Sequence, residues 1–115
     1  MSLAKKLNLK SGMKMRVVGK PGDVDLDDVV TTSSETAEGV LVFVQTLAAV
    51  DVVCAPAFAA AKDGRLSWIA YPKAGQLGTD LNRDILWKHL LEHGIRGVRQ
   101  IAIDDVWSAL RFKPV

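Results

Sequence analysis

Gly39-Val40-Leu41-Val42-Phe43-Val44 is the stretch whose reading decides the fold of this chain. An unbroken apolar run of this length, rich in β-branched valine, suits a strand covered on both faces of a parallel sheet rather than a strand with one wet face. Just beyond it, Thr46 is placed to cap a helix running through Ala61, kinked or restarted at Pro56, whose ring removes a helical N–H. Asp63-Gly64 then turns the chain into a further strand, Arg65 to Tyr71, which Pro72 ends. Strand, helix and strand in this order make a βαβ unit.

Upstream, Met13 to Val18 reads as a first strand between the breakers Ser11-Gly12 and Gly19-Lys20-Pro21-Gly22. Asp23 to Asp28 accommodates one helical turn, with acids suited to a helix N-terminus, and Val29 to Thr32 is a short β-branched run. Downstream, Thr79 is placed to cap a helix from Asp80 to His93, closed by Gly94. Two last strands, Ile95 to Ile103 and Val106 to Lys113, are joined by Asp104-Asp105, a turn too short for a parallel crossover, so they must be antiparallel. The expected fold class is therefore α/β: an open, mostly parallel, Rossmann-like sheet with helices on both faces, closed by a C-terminal hairpin.

The 115 residues suffice for one domain, residues 1–115, and the 49% hydrophobic content excludes disorder. Basic and acidic residues nearly cancel, 15 against 13, too mild a surplus for a dedicated nucleic-acid or membrane-surface binder. The charges come in blocks: Lys5, Lys6, Lys10, Lys14, Arg16 and Lys20 precede a run of acids from Asp23 to Glu38. No aromatic residue is interleaved with the basic block to stack bases, so no nucleic-acid partner is expected. The low-charge stretch 39–61 is long enough to tempt a membrane assignment, but Asp51 in its middle and Pro56 argue against one. Met1 to Leu9 lack the apolar core of a secretory signal, and the single cysteine, Cys54, cannot form an intrachain disulfide, so a cytoplasmic location is expected.

Three segments carry a resemblance. Arg65-Leu-Ser-Trp-Ile-Ala-Tyr-Pro-Lys73, Thr79-Asp-Leu-Asn-Arg-Asp84 and Asp105-Val-Trp-Ser-Ala-Leu-Arg-Phe112 resemble an uncharacterised bacterial family of small proteins, a domain of unknown function with a truncated S-adenosylmethionine methyltransferase-like fold. The similarity spans nearly the whole chain and implies a fold without a reaction. Against the methyltransferase pattern, Val17 replaces an acid and Pro21 replaces a glycine of the loop that approaches the cofactor. Between Gly19 and Gly39 the chain is too short to build an adenosine-binding wall, so no cofactor is expected.

The coherent ligand site left is a weak anion site at the carboxyl edge of the sheet, made by Gly19, Lys20, Gly22, Lys73 and the N–H groups behind Thr79. His89-Leu-Leu-Glu-His93 matches the H-x-x-E-H pattern of inverted zinc peptidases, with both imidazoles on one helical face. A third ligand is required, and the acids after His93 are Asp104 and Asp105 in a hairpin turn, so no metal site is assigned and the histidines read as helix-end residues. Cys54 lacks a basic neighbour and reads as a small hydrophobe, while Trp68, Trp87 and Trp107 read as core side chains. In the helix after Thr46, Leu47, Val50, Asp51, Cys54 and Phe58 share one face, and Leu47, Val50 and Phe58 make a candidate self-association contact for a homodimer. No residue is assigned as catalytic. The expected function is a non-catalytic binding or interaction module; the alternative is a minimal S-adenosylmethionine- or nucleotide-binding methyltransferase-like enzyme.

Overall fold

The computed structural model describes residues 3–10, 12–26, 28–34 and 36–114. Its strands are β1 (Met15–Val18), β2 (Thr31–Thr32), β3 (Gly39–Phe43), β4 (Leu66–Pro72), β5 (Ile95–Ala102) and β6 (Trp107–Pro114). Its helices are α1 (Leu3–Lys6), α2 (Leu47–Val53), α3 (Ala55–Lys62) and α4 (Arg83–Leu91). All six strands join one sheet in the order β2-β1-β3-β4-β6-β5, which makes the chain α/β as expected.

β3 is buried along its whole length and pairs in parallel with β1 and β4, as its unbroken apolar run requires. One expectation is corrected: the sheet is mixed rather than mostly parallel. The C-terminal hairpin folds back so that β6 lies between β4 and β5, antiparallel to both. These two antiparallel ladders together are as long as the parallel ones. A register shift falls between Gly97 and Arg99 of β5.

The two faces of the sheet are covered differently. On one, α2, α3 and α4 bury Val50, Ala57, Ala60, Leu86 and Leu90 against Val40, Val42, Ile69 and Leu110. On the other, Leu7, Val24, Leu26 and Val29 cover Leu41, Phe43, Trp68 and Trp107. That second cover is mostly irregular chain. The indole Nε1 of Trp68 donates to the Leu7 carbonyl at 3.1 Å and ties the N-terminal segment down.

One local expectation holds and two shift, each for a visible reason. The helix after Thr46 is restarted, as Pro56 foretold: Cys54 ends α2, and Pro56 falls in the first turn of α3, where its missing N–H has no helical partner to lose. α4 starts at Arg83 rather than Asp80, because Asn82 is its cap and accepts from the Ile85 N–H at 2.8 Å. Thr79 instead accepts from the Leu81 N–H at 3.0 Å and donates its hydroxyl to the Gln45 carbonyl. The described part of Asp23 to Asp28 forms no helical turn: Val24 and Leu26, two apart, are both buried, which suits an extended segment laid on the sheet. No helix among the described residues is long and apolar enough to cross a membrane.

Candidate functional site

Two regions bring polar groups together. The first lies where β1 and β2 end. A short connection that forms no helix leaves Arg16, Val17 and Val18 only half-buried, and a wide cleft of about 1030 Å³ opens there. Its lining includes Arg16, Gly19, Lys20, Thr31, Thr32 and Ser33. The connection that is too short for an adenosine-binding wall leaves this edge of the sheet uncovered.

The residues expected to form one anion site are separated. Gly19 and Lys20 line the cleft. Gly19 has φ of +73°, and a Cβ there would lie 3.1 Å from the Phe43 carbonyl oxygen, so conformation and space both call for glycine. Lys20 folds its ammonium onto the carbonyls of Pro21 and Val24, at 3.0 and 2.7 Å, bracing the loop that holds Gly22. Lys73 and Thr79 are not part of the lining; they belong to the segment beyond β4.

That segment closes the β3–β4 part of the same edge from within. Gln45 Nε2 donates to the Leu77 carbonyl, and the Leu47 N–H at the start of α2 donates to Asp80, both at 2.8 Å. The Asp80 carboxylate thus already occupies the place an anion would take at that helix end. Behind Thr79, the N–H groups of Leu81 and Ile85 are satisfied by Thr79 and Asn82.

The second region joins α2 to the end of α4. Asp51, in the last turn of α2, accepts at one oxygen, Oδ1, from His89 Nε2 and His93 Nε2, each at 2.7 Å. The i, i+4 spacing puts both imidazoles on one side of α4, and the arrest of α2 at Cys54 presents Asp51 to them. Phe58 of α3 stacks on His93 with ring centroids 4.8 Å apart, and Glu92 Oε2 lies 3.8 Å from His89 Nδ1. The hydrogen bond from His89, and then that from His93, hold the Asp51 carboxyl below its usual range. Sequence reasoning missed Asp51 as a partner of the histidines because it sought a third ligand downstream. The signal was present: Asp51 is the lone charge in the apolar stretch 39–61.

The face considered for self-association lies beside this pairing. Val50 is buried in the core, Leu47 and Phe58 pack partly buried beside it, and α4 of the same chain lies over Phe58 through His93. Cys54 is buried, and desolvation, followed by the nearby Asp51 charge, pushes its thiol up to about 12. It is an inert packing residue rather than a nucleophile.

No protein-family model, curated protein or solved structure matches the chain. The functional reading therefore rests on these two regions.

Proposed function

We propose that this chain is a non-catalytic binding module that holds a small anionic ligand in the cleft beside β1 and β2. The observation that carries this reading is the convergence of Arg16 and Lys20 with Thr31, Thr32 and Ser33 around about 1030 Å³ at the carboxyl ends of parallel strands. Open α/β sheets bind ligands at that edge, and pockets of this size suit small molecules. Arginine offers the planar fork that grips phosphate or carboxylate, and the hydroxyls supply neutral donors. Among the described residues lining the cleft, Asp25 is the acid, against Arg16 and the Lys20 ammonium held on the loop carbonyls.

A methyltransferase-like, Rossmann-like architecture belongs to the same proposal. The reversed strand β6 inserted between β4 and β5, beside a parallel β2-β1-β3-β4 group, supports it. Binding of a methyl donor or nucleotide is the second reading, favoured by the size of the cleft. Against it, β2 ends in Thr32, where the methyltransferase pattern places an acid for the ribose hydroxyls.

A thermal-shift panel of inorganic phosphate, ATP, S-adenosylmethionine and S-adenosylhomocysteine tests both. A ligand at 100 times its Kd adds about 2.7 kcal/mol, which raises Tm by roughly 10 °C for a chain of this size. The binding-module reading expects a shift with inorganic phosphate that Arg16→Glu abolishes. A shift confined to ATP, or to the methyl donor and its product, selects the second reading. No shift with any of the four, or one undiminished in Arg16→Glu, overturns both.

A further inference from the structure

We propose that Asp51, His89 and His93 bind one divalent transition cation of the zinc class, with water completing its coordination. The three side chains offer two imidazole nitrogens and a carboxylate oxygen, all within 4.8 Å of one another. This is the donor set of three-protein-ligand zinc sites that keep a fourth position open. Imidazole nitrogen selects zinc, nickel or copper over magnesium and calcium, which take oxygen ligands.

Closing on a metal requires all three side chains to adjust. Both Nε2 atoms already point at one carboxylate oxygen from 2.7 Å. A tetrahedral centre ~2.1 Å from each ligand atom would hold those atoms ~3.4 Å apart. Asp51 must therefore withdraw by ~0.7 Å. The two imidazole nitrogens, which fall within the 4.8 Å span of the cluster, must close toward the same spacing, each Nε2 giving up its proton as two hydrogen bonds are exchanged for three metal bonds. The Asp51 side chain is 54% exposed, and those of His89 and His93 are 21% and 34% exposed, so the adjustment is confined to side chains that reach solvent.

The surroundings favour a cation. Asp51 lies in the last turn of α2, and His89 lies in the last turn of α4 with His93 just beyond it. Both helices thus present the partially negative ends of their dipoles to the site. The rings are also held in place. Phe58 fixes the plane of His93, and Glu92 lies on the Nδ1 side of His89, where carboxylates commonly orient metal-bound imidazoles. The competing account, a hydrogen-bonded tie between two helices, explains the same distances but predicts no metal affinity.

Tag-free protein, stripped with chelator, is titrated with Zn²⁺ in competition with a chromophoric chelator, and with Co²⁺ followed by visible absorption. One equivalent should bind, with visible bands of low coordination number for Co²⁺, and a large excess of Mg²⁺ should not displace it. The chain has only two histidines, so imidazole NMR of the unaltered protein reads the site directly, and both rings must shift together with zinc. Asp51→Asn should weaken binding at least tenfold, and His89→Ala with His93→Ala should abolish it, with far-UV circular dichroism of the metal-free variants confirming the fold. Binding unchanged in Asp51→Asn means a surface histidine pair alone and overturns the three-ligand site. So does zinc that leaves either imidazole unmoved, or no one-to-one binding at millimolar metal.

Discussion

The two ends of the sheet finish in opposite conditions. Around β3, β4, β6 and β5, helices α2 to α4 press against the strands, and polar groups at the carboxyl edge are consumed by internal partners such as Asp80, Thr79 and Asn82. Around β1 and β2, irregular chain covers one face, β1 stays half-buried, and the edge opens into the cleft. The difference lies in the connections. From Val44 to Arg65 there is length for two helices, whereas Gly19 to Val30 forms none among its described residues. A helix closes an edge; a short extended crossover leaves it open.

The sharpest way to break this contrast is to compare core truncations across it. Leu90 of α4 is fully buried, and Leu90→Ala should destabilise the protein by about 3 kcal/mol in urea unfolding, through lost burial and the cavity left behind. Val17→Ala beside the cleft should lose less than about 1 kcal/mol, because that side chain is half-buried and water can fill the space. Equal losses would mean that the cleft side is as tightly packed as the helical side.

A smaller effect is expected where α4 meets the outer strand. A Cβ at Gly97 would fall 2.9 Å from the Trp87 ring, too close for the helix to keep its distance from β5. Gly97→Ala should cost about 1–2 kcal/mol, the usual penalty of overpacking, and should change tryptophan fluorescence as the ring is displaced. An unaltered midpoint and spectrum would show that α4 rides loosely on the sheet.

The smallest effect concerns the amino edge of β1 and β3 in acid. The Lys14 backbone N–H donates to the Glu38 carboxylate at 3.0 Å and holds its pKa below the usual value. A lowered folded pKa contributes stability that is present above the unfolded value of about 4.5 and is lost as pH falls through the folded value. Glu38→Gln should therefore be slightly less stable than the parent at pH 7, with the two curves merging in strong acid. A gap that persists unchanged at low pH would assign the effect to packing instead.

Much of the helical side was legible in the sequence because its signals are local. The apolar run at β3, the interruption at Pro56 and the tight hairpin at Asp104-Asp105, which the structure widens to residues 103–106, each need only neighbours to be read. The cap of α4 was misread because Thr79 and Asn82 are both good caps, and a hydrogen bond from Thr79 to the distant Gln45 carbonyl decides between them. The metal-type cluster was hidden for a similar reason. His89 and His93 announce themselves by spacing, but Asp51 reaches them across 38 and 42 residues, and only the packing of α2 against α4 joins them. The cleft was hidden in the opposite way, since sequence reveals missing residues without showing what their absence exposes.

The borders of the sheet have a consequence for how these molecules behave in a crowd. One border, β2, is two residues long; the other, β5, exposes Arg96 and Arg99 and breaks its regular spacing beside Val98. Neither offers the long, flat, uncharged template on which a foreign strand can zip. Growth by ladder extension stops at each rim, so aggregation that starts from this sheet requires prior unravelling.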